Sequence, residues 1–129
     1  MKLRIKGSSL RLRLTQGEVR SLETAGEVAE QVHFGGGARL TYRLRTDTKS
    51  QEISASYGDN VIDIRVPQET ALTWARTDQV TLSHEEPVAD GELRLVIEKD
   101  WNCLAPRSDE DESDNFPHPE TGTGTGKVC

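Results

Sequence analysis

Cysteine is scarce in this 129-residue sequence, which holds Cys103 and Cys129 and no others. Two thiols, one of them the last residue, do not make a disulfide framework. Without a C-x-x-C or H-x-x-x-H spacing, Cys103, His118 and Cys129 do not mark a zinc site either. Aromatic residues are 5% of the chain, so the expected core is small and aliphatic. The basic strands are interleaved mainly with aliphatic residues, and Tyr42 falls on the apolar side of its strand. That leaves no base-stacking platform and argues against nucleic acid as a partner. Long apolar runs are missing too. The chain opens Met1-Lys2-Leu3-Arg4-Ile5-Lys6 with charge at every second position, which fits neither a signal peptide nor a membrane span. No G-x-S-x-G elbow locates a nucleophile, and Gly122–Lys127 lacks the strand and helix that would flank a phosphate loop. These absences point to a cytoplasmic chain with no metal, no cofactor and no membrane partner, and they lean away from an enzyme.

What is present is charge, unevenly spread. Residues 1–49 carry ten Lys and Arg against five Asp and Glu, a net of +5. Residues 50–107 carry five against eleven and residues 108–129 one against six. The overall −6 is therefore an average of one basic and two acidic segments, and partners must be argued segment by segment.

Apolar and charged residues alternate with period two at Leu3 and Ile5, and again at Leu10, Leu12 and Leu14, with Gly7-Ser8-Ser9 between. That pattern predicts two strands with one buried face. Thr15 and Glu18 form a T-x-x-E capping box for a helix carrying Val19 and Leu22, and Gly26 stands where a helix ends in a left-handed residue. Strands follow at 28–34 and 39–45 around a Gly35-Gly36-Gly37 turn. The second half repeats this order. Ile53, Ala55 and Tyr57 alternate, Gly58-Asp59-Asn60 turns, and 61–66 runs as a strand. Pro67 then opens a helix with Leu72, Trp74 and Ala75, and strands at Val80–Leu82 and Leu93–Ile97 follow, separated by a loop through Pro87. A slide of 52 residues superposes Leu10, Leu12, Arg13, Leu14, Gln16, Leu22 and Val28 on Ile62, Ile64, Arg65, Val66, Gln68, Trp74 and Val80. Repetition at a fixed period signals duplicated units.

The expected fold is α+β: a duplicated β-β-α-β-β unit giving eight antiparallel strands, barrel-like or in two sheets, with two short helices. Closure is favoured because it removes strand edges. Each helix is expected to cover the apolar face of its own half's sheet. Residues 1–107 form one pseudo-symmetric domain with halves 1–49 and 50–107, and residues 108–129 form an acidic, flexible tail. The tail contains Ser108-Asp109-Glu110-Asp111-Glu112-Ser113-Asp114, too polar to bury enough surface to offset its ordering entropy.

The candidate site is a basic sheet face. Lys2, Arg4, Lys6, Arg11, Arg13, Arg39, Arg43 and Arg45 lie on the polar side of the N-terminal strands, with Arg65 and Arg94 in the second half. Neighbouring arginines can hold phosphate or carboxylate bidentately. The reading is a non-catalytic binding or regulatory module for an anionic small molecule or an acidic protein segment, with the chain's own tail competing for the face. An ordinary solvated sheet face is the plainer alternative. A third is an assembly protein that dimerises through uncovered apolar sheet surface. An enzyme would instead enclose Glu52, Asp63, Glu92 or Glu98 in a cavity beside the arginines. His33 and His84 are expected at the surface.

Two resemblances follow from these residues. A charged barrel lumen resembles the triphosphate-tunnel (CYTH-like) phosphatases, which implies an anion tunnel and phosphate chemistry. That family opens with E-x-E-x-K, whereas Lys2 and Arg4 stand at the positions of its metal-binding glutamates. Lys2-Leu3-Arg4-Ile5-Lys6-Gly7 and Ser9-Leu10-Arg11-Leu12-Arg13-Leu14-Thr15 resemble a family of small uncharacterised bacterial proteins. So do Glu98-Lys99-Asp100-Trp101 with Cys103-Leu104, and the Glu110–Pro117 stretch. That resemblance implies a bacterial cytosolic setting and gives no residue a role.

Overall fold

In the computed structural model, residues 1–101 are described. The expected tail at 108–129, with Cys103, His118 and Cys129, lies outside the described residues.

The chain begins with β1 (Lys2–Ile5) and β2 (Ser9–Leu14), joined by a turn in which Gly7 adopts φ +54°. Helix α1 (Gln16–Ala25) starts at the expected capping box: Glu18 N donates to Thr15 Oγ1, and the Glu18 carboxylate accepts from Thr15 N at 2.9 Å. It stops at Gly26, whose φ of +77° sends its N–H back to the Leu22 carbonyl. Strands β3 (Glu27–His33) and β4 (Arg39–Asp47) complete the first half, with a short 3₁₀ turn over the triglycine between them. Strands β5 (Ser54–Gly58) and β6 (Val61–Pro67) follow. They turn through Asp59 and Asn60, both at positive φ, which matches the right-handed twist of a two-residue hairpin. Helix α2 (Gln68–Arg76), β7 (Thr81–Val88) and β8 (Gly91–Lys99) end the described chain. Pro87, expected in a loop, lies inside β7. This is tolerable because β7 is an edge strand and gives up no ladder partner on its outer side.

The strands form two four-stranded sheets: β1-β2-β8-β7, called sheet A, and β3-β4-β6-β5, called sheet B. This corrects two expectations. The sheets are mixed, because β2 pairs with β8 and β4 with β6 in parallel, and they do not close into a barrel. Each β-β-α-β-β half contributes one hairpin to each sheet, so neither helix sits on a sheet belonging to its own half alone. Exchanging each strand with the one four places later converts the order of sheet A into that of sheet B.

Leu12, Leu14, Leu95, Ile97 and Leu82 of sheet A share one core with Leu44, Ile62, Ile64 and Val66 of sheet B. Val19 and Leu22 of α1 and Ala71 and Trp74 of α2 complete it, and the two helices lie against each other. Trp74 is fully buried and donates Nε1–H to the Val80 carbonyl at 2.9 Å. Period-two alternation then turns the charged side of each sheet away from this core. The margins between the sheets are bridged by side chains rather than by a ladder. At one margin the Met1 ammonium pairs with Glu18 and Glu30 while Tyr42 Oη bonds Glu30 and the Met1 carbonyl. At the other, Ala55 N of edge strand β5 donates to Glu86 of β7 at 3.2 Å.

Candidate anion-binding site

The candidate basic residues do not gather on one surface. Lys2, Arg4, Arg11, Arg13 and Arg94 belong to sheet A, with Lys6 just past β1, while Arg43, Arg45 and Arg65 belong to sheet B with Arg39. Because the apolar sides of both sheets share the core, the two basic arrays lie on separate outer faces. The single basic face expected from the sequence is thus two faces, and the charged lumen of a barrel is not formed.

On sheet A, Lys2 stands opposite Arg13 and Arg4 opposite Arg11 across the β1–β2 ladder. Glu98 of β8 lies beside Arg13 in parallel register. It accepts from Arg13 Nε at 2.6 Å and from Arg11 Nη1 at 3.2 Å. Its side chain is 6% exposed, and Lys2 Nζ reaches Asp100 at 3.0 Å. Arg94 and Lys6 stay exposed and form no ion pair among the described residues. At the far end of the same face the Glu92 carboxyl is raised above its ordinary value by sharing a hydrogen bond with the Glu85 carboxylate and by the negative charge of Glu85.

On sheet B the register places Arg43 beside Asp63, Arg45 beside Arg65, and Ser56 of β5 on the other side of Asp63. Asp63 Oδ1 accepts from Arg43 Nε at 3.1 Å. Its Oδ2 accepts from Arg45 Nη2 at 2.9 Å and Arg65 Nε at 3.2 Å. Burial acts to raise the Asp63 carboxyl, but the three guanidinium hydrogen bonds outweigh it and hold the group below the usual range. Asp63 is buried at 7% side-chain exposure, while the three arginines keep 32%, 37% and 40% of theirs. Glu27 adds a looser contact to Arg43 at 3.7 Å. Three cations are therefore fixed in direction by one acid, and Arg45 Nε is buried without a hydrogen-bond partner.

Sequence reasoning named Asp63 and Glu98 only as marks of an enzyme cavity. They are the acids that organise the arginines, on open sheet faces. The available signal was an acid on the polar side of a central strand with an arginine two residues on, as in Asp63-Ile64-Arg65. Glu52 stands apart, 3.8 Å from His84. His84 lies within β7 opposite Leu95, more inward than expected, whereas His33 is exposed at a strand end. Two clefts have other linings. One of about 280 Å³ is bounded by Leu14, Val19, Ala75, Lys99 and Trp101, and one of about 450 Å³ by Asp47, Ser50, Pro67 and Glu69. Lys99 lies 5.6 Å from the Trp74 ring centroid and donates to the Thr77 carbonyl. No group of three His, Cys, Asp or Glu that could hold a metal occurs among the described residues. No helix is long and apolar enough to cross a membrane among them.

A family model described as "Family of unknown function (DUF7009)" matches residues 1–120. No curated protein and no solved structure matches the chain.

Proposed function

The chain belongs to this family of unknown function, and from that premise we propose that it is a non-catalytic binding module whose sheet B face holds an anionic group. The ligand is an anionic small molecule or an acidic protein segment. One observation carries the reading: Arg43, Arg45 and Arg65 converge on the single carboxylate of Asp63. Even with Glu27 counted, the cluster keeps a positive surplus. Asp63 sets the guanidinium planes before any ligand arrives, so less side-chain entropy is lost on binding. The solvent-side N–H groups of neighbouring arginines suit the paired oxygens of a phosphate or carboxylate.

A phosphate-chemistry enzyme has less support. Asp63 already accepts three hydrogen bonds from cations, which makes it a poor proton acceptor, and it lies on an open face where water competes. We take the two halves as a duplication, which the matching strand orders support. A cytoplasmic setting is proposed from the scarcity of cysteine and the alternating charge of the first residues, and a bacterial one from the resemblance of Lys2–Gly7 and Ser9–Thr15 to small bacterial proteins. A homodimer is the alternative for which exposed Val32, Phe34 and Tyr57 speak.

The test is a titration of the full chain with inorganic pyrophosphate, followed by amide chemical shifts. Shifts are expected at 41–47 and 61–66, and Arg43→Gln with Arg65→Gln should weaken them by about tenfold or more. No shift in sheet B up to about 10 mM pyrophosphate, a concentration well above a millimolar Kd, would dismiss the reading.

A further inference from the structure

We infer that the end of the molecule opposite the helices is the contact surface for a second copy of this chain, related to the first by a two-fold axis. This goes beyond the sheet B reading and stands independently of it, because the arginines of that site lie on an outer face that end-to-end contact leaves open.

Topology creates that end. Strands β2 and β8 run parallel, as do β4 and β6, and each follows its own hairpin turn. The four turns therefore fall at one end and both helices at the other. Core-facing side chains become less buried toward the turns. The trend runs from Leu14 to Leu10 and from Ile97 to Leu93 on central strands, and ends at exposed Ile5, Val32, Tyr57 and Val88 on the edge strands. Phe34 joins them, its N–H donating to the Ala38 carbonyl at 2.8 Å across the triglycine turn. Among the described residues, five of the seven large exposed apolar side chains thus share one end. Apolar surface so concentrated, with a polar rim, marks a protein contact.

Charge selects the occupant. Side-chain bridges set β1 against β3 and β4 at one margin and β7 against β5 at the other. At the first margin, residues 5–9 and 33–39 contain Lys6, His33 and Arg39 and no acid. At the second, residues 57–61 and 87–92 contain Asp59, Asp90 and Glu92 and no Lys or Arg. Lys6, Arg39, Asp59 and Asp90 form no ion pair among the described residues. A surface positive along one margin and negative along the other is its own complement. A two-fold axis lying across the end, from sheet A to sheet B, turns each margin onto the opposite one. Lys6 then meets Asp90 of the second copy, and Arg39 meets its Asp59. Ile5 meets Val88, and Val32 with Phe34 meets Tyr57. An axis at right angles within the same end would set like charges together, which fixes the orientation.

An end of four strands by two sheets spans roughly 20 Å each way. That is small for a specific interface, so a dissociation constant of about 10–100 μM is expected.

The experiment is sedimentation velocity of the full chain from about 5 μM to about 1 mM, which should show a monomer–dimer equilibrium. Ile5→Ser with Tyr57→Ser should weaken it by about tenfold or more. Lys6→Glu and Asp90→Lys should each weaken it, and the protein carrying both should return to within about threefold of the parent. All four side chains are exposed, so thermal melts should stay close to that of the parent. A chain still monomeric at the highest concentration overturns the inference. So does a dimer that none of these substitutions weakens, which would place the contact on another face such as an unpaired strand edge. A double charge reversal no tighter than the single ones overturns it as well. Pyrophosphate binding to sheet B is read separately, by amide shifts, so either idea can fail alone.

Discussion

Arg11 of β2 and Asp63 of β6 occupy the same position in the two halves, 52 residues apart, and carry opposite charge. Each faces a strand from the other half in parallel register, Arg11 beside Val96 and Asp63 beside Arg43. Both sheets therefore set one buried acid among arginines, but sheet A takes it from β8 as Glu98 and sheet B from β6 as Asp63. The two outer faces are alike in design and different in detail.

Asp63 links sheet B to acid stability. Its folded pKa lies below its unfolded value, near 3.9 for a free Asp. The stabilisation is therefore complete above about pH 4 and is lost as pH falls through the folded pKa. Asp63→Asn should cost about 2 kcal/mol at pH 7, since it removes the negative charge and one of the two oxygens that accept from the three guanidiniums. The variant's acid unfolding curve, followed by circular dichroism, should be flatter below pH 4 than that of the parent chain.

Trp74 is the largest fully buried side chain, and its indole N–H is satisfied by Val80. Trp74→Ala should destabilise by about 3–5 kcal/mol through the cavity it leaves. Trp74→Phe removes the bond to the Val80 carbonyl with less volume lost and should cost about 1–3 kcal/mol. Urea denaturation of the two variants separates the contributions.

Gly26 has φ of +77°, and a Cβ there would stand 3.2 Å from Thr46 Oγ1. Gly26→Ala should therefore cost at least about 1 kcal/mol from the left-handed backbone and crowding together. Asn60 also has positive φ, in a hairpin turn that glycine suits. Asn60→Gly should change stability by less than about 0.5 kcal/mol. A thermal melt in which Gly26→Ala is as stable as the parent would contradict this account of the α1 terminus.

Thr15→Ala removes the α1 cap and should cost about 1 kcal/mol. Glu18 does more, since its carboxylate caps Thr15 N and also pairs with the Met1 ammonium at the sheet margin. Glu18→Gln should thus lower the melting temperature at least as far as Thr15→Ala, and hydrogen exchange should quicken at both α1 and β1.

Local order was legible in the residues themselves. Alternation in Leu10–Leu14 and Val61–Val66 determined the strands and their buried sides, Thr15 with Glu18 and Gly26 determined where α1 begins and ends, and Asp59-Asn60 marked a hairpin. These signals span a few residues and act through backbone geometry and one-sided burial, so the sequence alone sufficed. Partners between the halves were another matter. The four hairpins among the described residues join antiparallel neighbours, and nothing local foretells that β2 would lie parallel to β8 or β4 to β6. Only the tertiary structure decided that, because a shared core buries both sheets and both helices more completely than two separate half-sheets could. The same decision divided the basic residues between two outer faces and brought Arg43 and Arg45 to Asp63 across some twenty residues of chain. Charge in the sequence determined that cations would line the polar sides of strands; which acid each would meet depended on long-range register, which alternation cannot encode.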